Sequence, residues 1–238
     1  MRFCRSMSPS VRSGCSTFDE IDHAGRMVTR GYITVSKVEH PLRTLGDMLR
    51  QNLMIIPSAT VIRATAFRGV GGYDALLRGY EDDDLLIRLF QAGWDSAYLP
   101  APLTRFRVHS LSSSKRLTFQ ESRVRFLDKL IESVPNQPRL NRFYIRDLVF
   151  PRLWRTTLIE YRVAVSVQDY ERALAVAGIL IEMSQRSPGG RKRELELALL
   201  ARPEAFRRAL GIYEALPGRL RPEINAAFLP GGRRRRRR

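Results

Sequence analysis

The sequence has very little cysteine and no long uncharged apolar run. Cys4 and Cys15 are the only cysteines in 238 residues, which is too few for a disulfide framework or a zinc site. The longest uncharged apolar run, residues 173–181, is far shorter than the ~20 residues that span a bilayer. The amino terminus has arginines but lacks the apolar segment of a secretory signal. We therefore expect a cytoplasmic protein with reduced thiols.

The sequence also lacks the motifs of dedicated nucleic-acid-binding domains, although it is strongly basic. Its 41 Lys and Arg residues and 24 Asp and Glu residues give a formal net charge of +17, which favours anionic partners. Six of the positive charges lie in the Arg tail, residues 231–238. No helix-turn-helix pattern, zinc-ligand spacing or RNP-like aromatic motif is present. Nucleic acid is therefore expected to bind only non-specifically, through the Arg tail, and more weakly as salt rises.

The apolar content, 44% of residues, is sufficient for a buried core. Composition and periodicity change along the chain and predict four segments. These are a poorly ordered Ser/Arg-rich segment at 1–16, an α/β segment at 17–116, a helical region at 117–230 and a disordered Arg tail at 231–238. The expected fold class is therefore α/β, followed by an all-helical carboxy-terminal region.

Short strands and longer helices are predicted within these segments from apolar spacing and from Gly and Pro positions. The predicted strands are at residues 17–21, 60–62, 97–99 and 104–108. The predicted helices are at residues 42–53, 64–67, 81–92, 119–134, 142–165, 169–184 and 193–216, with interruptions near Pro151 and Pro203. Gly93 is predicted to be the C′ residue of the helix at 81–92.

Four consecutive acids, residues 81–84, open the predicted helix at 81–92. Acids in a first helical turn are stabilised by free N–H groups and the helix dipole, by ~0.3–1 kcal/mol each. Four in succession also repel one another, so a bound cation or a site that needs carboxylates would relieve the repulsion. On the pattern alone, a functional site and a structural helix start are equally supported.

Five segments around these acids have a distinctive order and spacing. They are residues 56–63 (IPSATVIR), 70–74 (VGGYD), 79–89 (GYEDDDLLIRL), 94–102 (WDSAYLPAP) and 105–112 (RFRVHSLS). Together they resemble the acceptor-side half of the family 2 glycosyltransferases, which are inverting enzymes of the GT-A fold. The resemblance covers residues 53–116, roughly a quarter of the chain. It continues weakly at residues 18–26 (FDEIDHAGR), which are similar to the hairpin after the family's metal-binding DxD element.

The resemblance implies chemical roles for the residues that match the motifs. Asp82 matches the aspartate of the ED motif, so it would be the general base that removes a proton from the acceptor hydroxyl. Glu81 would orient Asp82 or tune its pKa. His109 would approach the donor's diphosphate or its divalent cation, Mg²⁺ or Mn²⁺. For His109, a structural role is an equally supported alternative.

Three further residues are implied in substrate binding. Arg105 and Arg107 alternate along a predicted strand, so both side chains lie on the same face. Arg107 would bind the donor's diphosphate there, whereas Arg105 is expected to be solvated. Trp94 would stack on a sugar ring, although core packing is the more frequent role of a lone tryptophan. The third is Tyr73, which lies in a glycine-rich turn at residues 69–74, the glycine turn. Asp84 and Arg88 are spaced i, i+4, which predicts an intrahelical ion pair.

The nucleotide-binding half of such an enzyme is not recognisable in the sequence. Nothing before residue 17 has a strand–helix–strand pattern, and residues 19–22 (DEID) are not a DxD element preceded by an apolar strand. Three explanations fit this pattern: a gene model that starts at an internal methionine, a remnant, or a separate chain that supplies the donor half. We expect that the chain alone does not transfer sugar.

The expected function is sugar transfer, with inversion, from a nucleotide-sugar to an unknown acceptor hydroxyl. Two alternatives come from other classes of protein. One is a basic nucleic-acid-binding protein, suggested by the net charge and the Arg tail. The other is a helical interaction module, residues 119–216, that docks a partner protein or makes peripheral contact with an acidic membrane.

Overall fold

The structure is a computed structural model that describes residues 11–36, 38–109, 117–186, 198 and 200–215. The protein is mixed α/β, with a small open mixed sheet and several helices. It divides into two compact units, an amino-terminal unit, Met1–Ser122, and a carboxy-terminal unit, Arg123–Arg238. Among the described residues, no helix is long and apolar enough to cross a membrane.

The sheet of the amino-terminal unit has four strands arranged around one long strand. The strands are β1 (Val11–Ile21), β2 (Met27–Thr29), β3 (Thr60–Ile62) and β4 (Asp95–Arg107). β1 pairs in parallel with β4 along its length. It pairs antiparallel with β3 in its first half and with β2 at its end. β1 is therefore the strand on which the rest of the sheet is assembled.

The predicted strand at 17–21 starts too late, because β1 begins at Val11. The predicted poorly ordered segment 1–16 is therefore wrong from residue 11 onward, and residues 1–10 lie outside the described residues. Ser13, Cys15 and Ser16 are buried in the strand. Their small side chains occupy the centre of the sheet without the apolar alternation that usually marks a strand. Burial raises the pKa of the Cys15 thiol to about 11.

β4 is a single strand in the structure, although the sequence predicts two strands at 97–99 and 104–108. Its pairing with β1 shifts register between the pairs Ser16↔Leu99 and Phe18↔Thr104. Pro100 and Pro102 lie in this irregular stretch, where a missing backbone N–H removes no ladder hydrogen bond. The two predicted strands correspond to the two regularly paired parts of β4.

The helices of the amino-terminal unit are mostly short. They are α1 (Tyr32–Val35), α2 (Leu45–Arg50), α3 (Ala64–Gly69) and α4 (Glu81–Gln91), with a 3₁₀ turn at Pro57–Ala59. α2 is shorter than the predicted helix at 42–53, because Thr44 and Asp47 form a capping box at its start. The prediction of α4 is confirmed, including Gly93 at φ 80° beyond its end.

Gly79 precedes α4 in a position where only glycine fits. A Cβ at this residue would overlap the ring of Phe119 and would lie 3.0 Å from its Cα. We expect Gly79→Ala to lower the free energy of unfolding by about 1–3 kcal/mol, the usual result of overpacking. Gly69→Ala is the matched control, because a Cβ there meets nothing within 4 Å. Urea unfolding of both variants checks the prediction. Equal free energies of unfolding for Gly79→Ala and Gly69→Ala would contradict it.

The described part of the carboxy-terminal unit is helical, apart from one bridge between Gln137 and Arg142. The helices are α5 (Leu117–Ser133), which the unit boundary crosses, α6 (Phe150–Ser166), α7 (Tyr170–Gln185) and α8 (Pro203–Ala215), with a 3₁₀ turn at Pro138–Leu140 and a π-helical turn at Ile145–Val149. The helix predicted at 142–165 is irregular just before Pro151, where the π-helical turn at Ile145–Val149 changes to α6. The predicted helix at 193–216 is helical at residues 198 and 200 and again at Pro203–Ala215, with a break at 201–202 that agrees with the predicted interruption near Pro203.

The core of the carboxy-terminal unit lies between α6 and α7, which are joined by a short loop. Trp154, Tyr161 and Leu180 are almost completely buried in it. The Tyr161 hydroxyl donates to the carbonyl oxygen of Leu200 at 2.9 Å. Burial raises the pKa of Tyr161 to about 12. The buried hydroxyl is therefore paired rather than available for proton transfer.

Candidate functional site

A cavity of about 350 Å³ lies in the amino-terminal unit beside the start of α4. Most of its wall is apolar. The larger apolar residues of the wall are Ile55, Pro57, Ile62, Phe67, Leu85 and Leu86. Its polar residues are Thr60, Tyr73 and Asp82. Among the described residues, Asp82 therefore supplies the only carboxylate of the cavity wall.

Arg88 fixes the glycine turn to α4 and so positions the cavity wall. Its guanidinium pairs with the buried carboxylate of Asp84 at 2.7 Å, which confirms the predicted intrahelical pair. The same guanidinium donates to the carbonyl oxygen of Gly72 at 2.8 Å and to that of Val70. Because charged hydrogen bonds are stronger than neutral ones, this arrangement holds Tyr73, the next residue along, near the first turn of α4.

The glycine turn needs its two central glycines. Gly71 and Gly72 have φ values of 81° and 68°, in the left-handed region that glycine adopts without strain. A Cβ on Gly72 would also lie 3.1 Å from the ring of Phe67. The chain can therefore reverse closely enough for the Gly72 carbonyl to reach Arg88.

Asp82 is half-buried at the start of α4, and its environment favours the protonated form. Burial raises the pKa of the Asp82 carboxyl, and the neighbouring carboxylate of Glu81 raises it further. The backbone N–H of Asp83 donates to Asp82 Oδ1 at 2.9 Å and opposes the shift. A carboxylate with a raised pKa is a stronger proton acceptor than an ordinary aspartate once it is ionised.

Glu81 and Tyr73 share this electrostatic environment with Asp82. Burial raises the pKa of the Tyr73 phenol, and the negative charges of Asp82 and Glu81 add to the effect. Glu81 Oε2 is buried and has no hydrogen-bond partner within the described parts of the chain. The structure therefore brings together three of the six predicted site residues: Tyr73, Glu81 and Asp82.

Asp82 is expected to destabilise the fold at neutral pH. Because its pKa is raised on folding, the folded state binds a proton more tightly than the unfolded state does. The free energy of unfolding therefore falls as pH rises from the ordinary aspartate pKa through the raised one. We expect Asp82→Asn to melt at a higher temperature than the natural chain at pH 7. Melting curves at pH 4 and pH 7 check this prediction. The difference in melting temperature between Asp82→Asn and the natural chain is expected to be smaller at pH 4.

The matched control for that measurement is Asp95→Asn. Asp95 is an exposed residue at the start of β4, so replacing it is expected to change the melting temperature little. An Asp82→Asn variant that melts below the natural chain at pH 7 would contradict the expected sign.

The other three predicted site residues do not belong to the cavity wall. Trp94 is half-buried beyond the end of α4, where its backbone N–H donates to the carbonyl oxygen of Leu89 at 3.1 Å. Arg107 Nη1 donates to the carbonyl oxygens of Asp22 and His23 at 2.8 Å each, so its guanidinium holds the turn between β1 and β2. His109 is exposed two residues after β4.

Sequence reasoning missed most of the cavity wall. Thr60, Ile62 and Phe67 are not predicted as site residues. Residues 56–63 resemble the segment leading to the acceptor side, which points to Thr60 and Ile62, whereas Phe67 has no such signal. The hydrogen bonds from Arg88 to the glycine turn were also missed, because periodicity within one helix says nothing about contacts to a distant turn.

No metal centre is formed by the described residues alone, since no three of their His, Cys, Asp and Glu side chains are grouped to hold an ion. No family model, no curated protein and no solved structure matches this chain. The functional assignment therefore depends on the residues and the geometry of the cavity.

Proposed function

We propose that the amino-terminal unit is the acceptor side of an inverting, GT-A-type glycosyltransferase of family 2, with Asp82 as the general base. The observation that carries the proposal is the position of Asp82, as the only carboxylate on the wall of the described cavity and with a raised pKa. The order of the sequence motifs around it gives independent support.

The proposed reaction is a single displacement. Asp82 removes the proton from the acceptor hydroxyl as that oxygen forms a bond to the anomeric carbon of the donor sugar. The bond from the anomeric carbon to the diphosphate breaks at the same time, and the nucleoside diphosphate leaves with the electron pair. Attack from the face opposite the leaving group inverts the anomeric configuration.

Glu81 and Tyr73 act on this step through the protonation of Asp82. The negative charge of Glu81 keeps the pKa of Asp82 raised, which strengthens Asp82 as a proton acceptor. Tyr73 lies on the same cavity wall, so its phenol is in position to contact the acceptor. Neither residue needs to exchange a proton with the substrate in this mechanism.

The donor-side contacts remain proposals. We propose that the donor's diphosphate carries Mg²⁺ or Mn²⁺ and that His109 is the contact from this chain. The cation would offset charge on the leaving group. Because no group of three metal ligands occurs among the described residues, no step above depends on the ion. Arg107 and Trp94 are likewise proposed donor or acceptor contacts. For Arg107, the contact requires its guanidinium to release the carbonyl oxygens of Asp22 and His23.

The test is glycoside formation measured by mass spectrometry. The purified chain is incubated with UDP-, GDP- and dTDP-sugars, mixed alcohols and Mg²⁺ or Mn²⁺. The incubation is repeated with separately purified nucleotide-binding halves of family 2 enzymes. We expect no product from the chain alone, and inverted glycosides when a donor half is added. Products of retained configuration, or no product with any donor half, would contradict the proposal.

Other predicted partners have no structural support specific to them. A cytoplasmic location, non-specific binding of nucleic acid by the Arg tail and peripheral contact with an acidic membrane stay predictions. The Arg tail lies outside the described residues. The salt dependence of nucleic-acid binding separates this class of partner from a nucleotide-sugar, because phosphate-driven binding weakens steeply between low and high salt.

A further inference from the structure

The cavity beside Asp82 has only three polar side chains among the described residues of its wall. Thr60 is one of its three polar residues, but the Thr60 hydroxyl donates to the carbonyl oxygen of Ile56 at 2.8 Å. Its donor capacity is therefore used within the chain. Of the polar side chains of the wall, the Asp82 carboxylate and the Tyr73 phenol remain as the main hydrogen-bonding groups for an occupant.

The rest of the wall is aliphatic or aromatic. Ile55 and Ile62 come from the segment around β3, Phe67 from α3, and Leu85 and Leu86 from α4. Three separate elements thus present apolar side chains to the same space. A volume of about 350 Å³ is near the lower end of the range for small-molecule sites, roughly 300–1,000 Å³. The cavity therefore suits a small molecule or one end of a longer one.

We infer that the acceptor is an alcohol with an apolar skeleton, whose single hydroxyl lies at Asp82 and whose hydrocarbon part fills the cavity. This inference rests on the proposed function, because it takes Asp82 as the group that meets the hydroxyl. A sugar acceptor would place several hydroxyl groups against apolar side chains. Polar groups buried without partners are strongly disfavoured. The geometry selects against a polyol for that reason.

The experiment uses 1-octanol as the apolar alcohol and methyl β-glucoside as the polyol. The full chain is labelled with ¹³C at the methyl groups of Ile and Leu, and each probe is titrated while methyl spectra are recorded. We expect 1-octanol to shift the methyl signals of Ile55, Ile62, Leu85 and Leu86 in a saturable way. Methyl β-glucoside at the same concentrations is expected to leave them unchanged.

A pair of charge variants on α3 localises the effect. Ala64 and Thr65 are both exposed, but only Ala64 lines the cavity. We expect Ala64→Glu to weaken 1-octanol binding by about tenfold, because a charge at the edge of the cavity would lie beside the hydrocarbon. Thr65→Glu is expected to bind as the natural chain does. Should Ala64→Glu fail to fold, the methyl map of the natural chain decides the question alone.

The outcomes separate this inference from the proposed function. Tighter binding of methyl β-glucoside at the same methyl groups would overturn the inference and leave sugar transfer intact. Absence of binding by 1-octanol, or shifts confined to other methyl groups, would also overturn it. Binding of 1-octanol together with undiminished transfer by Asp82→Asn would instead retain the cavity assignment and reject the role of Asp82 as base.

Discussion

Asp82→Asn is expected to lower the rate of glycoside formation by about 10²–10⁴-fold, the usual contribution of a positioned general base. Asparagine has nearly the same shape as aspartate but cannot accept the proton of the acceptor hydroxyl. The wall of the cavity and its apolar side chains remain in place, so binding of the acceptor should change little. The loss is therefore expected in kcat rather than in KM, measured in the assay with an added donor half.

Asp95→Asn serves as the control for the rate measurement. It removes an exposed carboxylate from the same unit, at the start of β4 and away from the described cavity wall. Its rate is expected to stay within about twofold of that of the natural chain, because surface substitutions of this kind have small effects. Equal rates for the Asp82 variant and the natural chain would exclude Asp82 as the base.

Arg123→Met is expected to lower the stability of the carboxy-terminal unit by about 3–5 kcal/mol, the usual effect of breaking a buried ion pair from one side. The Arg123 side chain is fully buried. Its guanidinium makes two hydrogen bonds to the Glu160 carboxylate, at 2.8 and 2.9 Å, and a third to the Thr157 hydroxyl. Methionine fills much of the same space but leaves Glu160 without its cation. Urea unfolding followed by the helical signal measures the loss.

Two further variants complete that measurement. Arg125→Met removes an exposed arginine from the same helix, α5, and is expected to change stability by less than about 0.5 kcal/mol. The double variant Arg123→Met with Glu160→Gln is expected to recover part of the loss, because the uncompensated charge is gone. A loss below about 1 kcal/mol for Arg123→Met would mean that the buried pair contributes no more than a surface pair.

α4 and the position of Asp82 at its start could be predicted from the sequence. Apolar residues at helical spacing define the helix, and Gly93 marks its end through a local conformational requirement. The i, i+4 spacing of Asp84 and Arg88 was enough to predict their pairing. Each of these features depends on residues close together in the chain, which is why sequence patterns reveal them.

β1 could not be predicted in full, because its buried residues do not look like a core. Ser13, Cys15 and Ser16 are small and partly polar, and in isolation they favour loops as much as strands. Pairing on both edges of the strand provides partners for their backbone groups. That pairing involves residues of β3 and β4 that lie more than forty positions after their partners in β1, as in the pair Cys15↔Thr60. Tertiary context therefore overrides local propensity here.

The cavity wall and the hydrogen bonds of Arg88 and Arg123 depend on contacts between distant parts of the chain. Arg88 reaches Val70 and Gly72, which are 18 and 16 residues away in sequence. Arg123 reaches Glu160, which is 37 residues away. Single-sequence periodicity describes which face of an element is apolar, but it does not identify the partner of that face. The resemblance to a family supplied Asp82 as a candidate, and the structure added the wall around it.

The protonation of Asp82 is the most direct test of the central claim. The carboxyl carbon of Asp82 is followed by ¹³C NMR as a function of pH, with Asp82→Asn to assign the signal. A midpoint above the ordinary aspartate pKa of ~3.9, and a further change when 1-octanol occupies the cavity, are the expected results. A midpoint at or below the ordinary aspartate value, unchanged by the alcohol, would show that Asp82 is an ordinary acid at a helix start and not the proposed base.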